Sequence, residues 1–203
     1  ETDDECIRED VHAIINMLGD LIDNTMPNLP DDHPIMHYLK ENEEMKRLLL
    51  AVEDLVQYPM IKNQWLELYD QISQYPLHYK RKQNQLYPVL EQKGFTRPTT
   101  TMWTFDDMVR DEIRKAERLL QEGNEEAFIK QQERVLLYAR DLMQKEEFIL
   151  YPTSIALISA DEFDEMKSGD QEIGFAFFKV EHRPTENKEE ASAKVQDGFA
   201  SEL

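Results

Sequence analysis

Asp31-Asp32-His33-Pro34-Ile35-Met36-His37-Tyr38-Leu39-Lys40-Glu41-Asn42-Glu43-Glu44 reads as the opening of a long helix. Asp32 suits the N-cap, and Pro34 suits the first turn, where a missing N–H costs nothing. At helical spacing Met45, Leu48, Val52 and Leu55 share one face. Continued backward, that face carries His33, His37, Glu41 and Glu44. Two imidazoles and two carboxylates thus stand where apolar side chains are expected. Burying them without partners would cost on the order of several kcal/mol. They are expected to meet water, one another or a metal.

The rest of the chain has the same helical character. Six Gly in 203 residues, with abundant Leu, Glu, Lys and Gln, favour helix. A first helix is expected over residues 3–23, then a loop to Pro30. A second runs over 33–57 and a third over 60–92, with bends at Pro76 and Pro88. A fourth covers 104–121 after a loop at 93–101. Gly123-Asn124 makes a tight turn into a fifth over 125–151. Ser159 and Glu162 form a capping box for a short helix. Residues 173–180 are apolar, aromatic and strand-like, and everything after Glu181 reads as a charged linker. No internal repeat is evident. The fold class is therefore all-α, an antiparallel four-helix bundle of the second to fifth helices. Residues 1–30 form an added N-terminal helix and loop, 31–170 the bundle, and 171–203 an extension leading towards a further domain.

Charge and composition exclude several functions. A net charge of -19 argues against nucleic acid and anionic membrane surfaces. No apolar run approaches ~18 residues, so no span is expected. The single Cys6 excludes an internal disulfide and fits a reducing, cytoplasmic compartment. The chain opens at Glu1 without a Met and reads as a piece of something longer. Neither a Ser-His-Asp pattern, a Gly-rich phosphate loop nor a zinc finger is visible, so no enzyme activity is expected.

Each bundle helix turns at least one potential metal ligand inward. The third has His78 and Lys82 bordering its apolar face. The fourth carries Met102 and Asp106 in line with Val109 and Ile113, and the fifth carries Glu146 in line with Leu142 and Met143. Folding the helices as hairpins sets His37 level with about residue 80, beside His78. The same construction leaves Glu146 about 10 Å deeper than Asp106 at ~1.5 Å per residue. Taken singly, each residue has a plainer role. Asp106 suits a helix cap, and Glu43, Glu44 and Glu147 suit the surface. The convergence of His33, His37, Glu41, His78 and Glu146 on one region is what favours a metal or cofactor site.

These residues carry a family resemblance. The stretches are Asp10-Val11-His12-Ala13, His33-Pro34-Ile35 through Glu41-Asn42, and His78-Tyr79-Lys80-Arg81-Lys82-Gln83-Asn84 through Leu86-Tyr87-Pro88. They continue in Met102-Trp103-Thr104-Phe105-Asp106-Asp107 with Arg110, then Glu146-Glu147-Phe148-Ile149-Leu150-Tyr151-Pro152 and Glu172-Ile173-Gly174. In this order they resemble a bacterial hemerythrin-like protein of the HHE cation-binding group. More narrowly, they resemble a subfamily with an N-terminal domain of unknown function that is often followed by a PAS sensor domain. The resemblance implies a bundle holding non-haem iron, mono- or dinuclear, that responds to O2, NO or redox state. By position it implies His12, His33, His78 and Glu146 as ligands. Residue pattern and resemblance together give a metal site with His33, His37, His78 and Glu146 as its core and His12, Glu41 and Asp106 as additional ligands. It also departs from the family: Gln83 and Met108 stand where the family has Glu, and Met36 stands where the subfamily often has a second His. Zinc, a haem held by His with Met36 or Met102, and a structural or dimerising input domain with a decayed site remain the alternatives.

Overall fold

The computed structural model describes residues 28–180. His12, the expected first helix over 3–23 and the charged tail after Glu181 lie outside the described residues. Everything described is helix, turn or coil, without a strand.

Helix α1, Pro34–Leu55, starts where Pro34 predicts, but its N-cap is His33 rather than Asp32. The His33 Nδ1 accepts the Ile35 N–H at 3.1 Å. An imidazole lone pair thus satisfies one of the free N–H groups of the first turn. The expected single rod over 60–92 is four pieces: α2, Lys62–Ile72; α3, Pro76–Arg81; a π-helical turn, Lys82–Leu86; and α4, Tyr87–Gln92. Helix α5, Thr96–Glu122, begins at Thr96, eight residues before the expected Thr104. Pro98 sits in its first turn, where no intrahelical N–H is needed, so the proline marks the helix start rather than a loop. Gly123 closes α5 in the left-handed region at φ 72. Asn124 then caps α6, Glu125–Lys145. A second π-helical turn, Glu146–Leu150, leads into α7, Tyr151–Leu157. The Ser159–Glu162 capping box opens α8, Ala160–Ile173.

The two π-helical turns share a cause and a sequence. Leu86-Tyr87-Pro88 ends one, and Leu150-Tyr151-Pro152 ends the other. Each proline lacks the N–H for an ordinary helical bond, and its ring crowds the carbonyl four residues back. The chain widens instead: Tyr87 N–H donates to the Lys82 carbonyl, and Tyr151 N–H to the Glu146 carbonyl. Lys82 and Glu146 each open their turn, 64 residues apart. A short quasi-repeat is therefore present where the sequence showed none.

The core is a continuous set of Leu, Val, Ile and aromatic side chains. At one end Trp65 meets Phe128 edge-on at 5.0 Å, and the Tyr69 hydroxyl donates to Gln132 at 2.6 Å. At the other end the core turns polar.

Residues 174–180 form a strap rather than the expected strand. Phe177 has φ 67, and no strand is available to pair with among the described residues. Ala176, in the middle of the strap, is fully buried.

A buried ionic network at the candidate metal centre

Residues 78, 81 and 82 of one chain segment lie one turn apart and so share a face. That face meets α1 at Glu41, α5 at Asp106 and the π-helical turn at Glu146. All six side chains are fully buried. Three carboxylates, Glu41, Asp106 and Glu146, face three cationic groups, His78, Arg81 and Lys82.

Every acceptor site on Glu41 is taken. Its Oε1 accepts from Arg81 at 2.8 Å and from the Ala176 N–H at 2.7 Å. Its Oε2 accepts from Arg81 at 2.8 Å and from His78 Nδ1 at 2.8 Å. Glu146 Oε1 meets His78 Nε2 at 3.1 Å and also the Lys82 ammonium, while its Oε2 accepts from Asn42 at 3.0 Å. Asp106 accepts from Lys82 at 2.5 Å and from the Tyr87 hydroxyl at 2.7 Å. Tyr75 donates to Asn42 at 2.7 Å and lies stacked on His78. The Arg81 guanidinium is sandwiched between the rings of Tyr38 and Phe175, at 4.6 and 4.4 Å.

The electrostatics follow from this pairing. Burial works against each charge, and the partners outweigh it at most positions. Burial pulls His78 down, but Glu146 and Glu41 raise it above its ordinary value, so it holds its second proton. Lys82 is likewise pulled down by burial and raised overall by Asp106 and Glu146. Burial pulls Glu146 up, yet Lys82 and His78 hold it at about 2. Glu41 is lowered overall by Arg81 and His78 against burial. Asp106 takes the opposite course: burial pushes it up to about 6 despite Lys82, because Glu146 stands close by.

The other residues named from the sequence lie apart from this network. His33 caps α1 and packs on Phe163 at 4.3 Å between ring centres. His37 is buried against Phe175 and Phe178. Burial, with Arg81 and Lys40 adding to it, lowers His37 to about 4, so it is neutral at pH 7. Met36 is half-buried in the first turn of α1, and Met102 is buried on α5. Asp106 lies ten residues inside α5 and caps nothing. The level difference from Glu146 is spanned by Lys82, whose long side chain reaches both carboxylates. Arg81 and Lys82 as the partners of these acids were missed from sequence. The available signal was their spacing of three and four residues from His78.

Asp170 on α8 is the outermost member of the network. Its Oδ1 lies 3.8 Å from Arg81 Nε, and among the described residues neither of its oxygens has a hydrogen-bond partner. Burial pushes it up to about 7, against the pull of Arg81. A carboxyl whose folded value exceeds its unfolded one binds its proton more tightly in the fold. The fold therefore loses stability as pH rises from about 4 to 7, and the whole penalty is present above 7. Asp170→Asn is expected to be roughly 2 kcal/mol more stable than wild type at pH 8 and to converge on it near pH 4. The gain is less than the raised value alone would give, because the amide forgoes the attraction of Arg81. Urea unfolding at the two pH values measures it; equal stabilities at pH 8 would refute it.

Residues 9–154 match the family described as Hemerythrin HHE cation binding domain, and the chain belongs to that family. No curated protein matches the chain.

The described residues do not fit the metal that this family binds. A ligand imidazole must be neutral with one free nitrogen lone pair. Both nitrogens of His78 face carboxylates. The acceptor sites of Glu41 are filled, and Asp106 and Glu146 close on Lys82. Among the described residues no three His, Cys, Asp or Glu side chains are grouped as a metal site requires.

Proposed function

We propose that the chain is a sensory or binding module rather than an enzyme, and that its C-terminal strap is the output element. In this reading an antiparallel four-helix bundle over 31–170 holds the ionic network, and 171–203 lead towards a further domain, such as a PAS domain. The observation that carries the reading is the bonding of the strap to the network. Glu41 accepts the Ala176 N–H, and Arg81 donates to the Gly174 carbonyl at 3.1 Å. Phe175 covers Arg81, and Phe177, held in the left-handed region, stacks on Tyr75. Any change in the charge of the network thus alters the bonds that fix the strap. No described helix is long and apolar enough to cross a membrane. Cytoplasmic placement fits the lone Cys6.

Within this class, a non-haem iron centre answering O2, NO or redox state is what family membership favours. The consumed lone pairs of His78 and Glu41 favour instead the structural input domain, in which homodimer formation or partner binding replaces metal chemistry. Hydrogen exchange tests the coupling common to both. In Glu41→Gln the Ala176 amide loses a charged acceptor, and amides of 174–180 are expected to exchange at least about tenfold faster. The α5–α6 hairpin serves as the internal control. Unchanged exchange in the strap would overturn its role as output.

A further inference from the structure

The quasi-repeat of the two π-helical turns sets Lys82 and Glu146 at corresponding positions, each the first residue of its turn. A two-fold cradle for a cation would place a carboxylate at both. This chain has a carboxylate at one and an ammonium at the other. The ammonium reaches across the bundle to Asp106 at 2.5 Å and to Glu146, and no part of Lys82 is exposed. Lys82 Nζ also lies 5.0 Å from the centre of the Tyr79 ring and 5.8 Å from that of Tyr87, enclosed by aromatic faces.

We propose that the Lys82 ammonium stands in the place of a metal cation, so that the bundle folds and works with a charge supplied by its own chain. The argument is one of charge and geometry. Asp106 and Glu146 come from two different helical segments, and keeping two buried carboxylates ionised side by side requires a cation between them. A metal supplies two positive charges to such a site. Here Lys82 supplies one, and the imidazolium of His78 on the other side of Glu146 supplies the second. Glu41 is neutralised separately by Arg81. Glu41, Asp106 and Glu146 thus balance His78, Arg81 and Lys82 among the described residues; Asp170, at the edge and without a hydrogen bond to Arg81, stands outside that count. The inference stands whether or not the strap carries a signal.

The first test uses the wild-type chain. Purified from iron-, manganese- and zinc-supplemented medium, it is expected to retain below about 0.1 ion per chain. Its Tm should not move with EDTA or with any of the three ions added anaerobically at millimolar concentration. Stoichiometric metal, or a Tm that rises with one of these ions, would overturn the proposal. The second test uses variants. Lys82→Met alone is expected to lower Tm by about 10 °C in metal-free buffer, or to prevent folding. Lys82→Met combined with Asp106→Asn, which removes one charge of each sign, should restore most of that loss. A single variant as stable as wild type would overturn the proposal. So would a double variant no more stable than the single, since either result means that the ammonium is not there to compensate the carboxylates.

Discussion

Glu146→Gln is expected to destabilise the fold by about 3–5 kcal/mol at pH 7, because it leaves buried cations without their anion. Among the described residues Glu146 is the one acid that touches both His78 and Lys82. The amide keeps the shape and can still accept from Asn42, so the loss reports charge rather than packing. His78 would hold its second proton less tightly, since the carboxylate that contributes most to raising it is gone and Glu41 alone remains against it. Lys82 would retain Asp106 alone. In a chain of this size the cost corresponds to a fall in Tm of about 10 °C or more. The linkage has a definite sign. Glu146 is held at about 2, below its unfolded value, so its contribution is present above about 4.5 and is lost as pH falls towards 2. The difference between variant and wild type should therefore shrink in acid. Chemical denaturation at pH 7 and pH 3 measures both effects, and a difference under about 1 kcal/mol at pH 7 would show that Glu146 is not the charge that holds this end of the bundle.

Much of this organisation was legible in the sequence, and the part that was not has a physical explanation. The helical class followed from low glycine content and 3.6-residue periodicity, and the Ser159 capping box and Gly123 turn fell where their chemistry demands. The inward direction of Glu41, His78 and Glu146 was legible because each continues an apolar stripe. His33 continues the same stripe but lies at its very end, and there a side chain is more useful to the free N–H groups of the first turn than to the core. The sequence set Lys82 with His78 at the border of an apolar face but could not show that it and Arg81 are buried as partners of the acids, because long basic side chains on a helix flank ordinarily reach water. Only the presence of three buried acids decides their direction. The strap misled for a similar reason. Phe175, Phe177 and the intervening small residue alternate like a strand, but alternation is equally what a segment shows when it lays aromatic rings into a polar socket.

Arg81→Met should be the other large loss, again about 3–5 kcal/mol, and it should differ in where the damage appears. Methionine fills much of the slot between Tyr38 and Phe175, so the apolar contact is largely kept. What disappears is the two-pronged bond to Glu41, which leaves that carboxylate with only His78 and the Ala176 N–H. The Gly174 carbonyl loses its donor as well. The strap is thereby weakened at the two polar anchors that join it to the network, while Lys82, Asp106 and Glu146 keep one another. Strap amides should exchange faster than global unfolding alone predicts, and the near-ultraviolet signal of the stacked tyrosines should change before the far-ultraviolet helical signal does. Asp170 gives the prediction a second edge. Among the described residues Arg81 is the group that pulls Asp170 down, so without it the carboxyl rises further above its usual range and takes up a proton at neutral pH. The combined variant Arg81→Met with Glu41→Gln removes the buried charge of both signs and should be more stable than Arg81→Met alone. If the double variant is the less stable of the two, the guanidinium serves the fold by packing and not by neutralising Glu41.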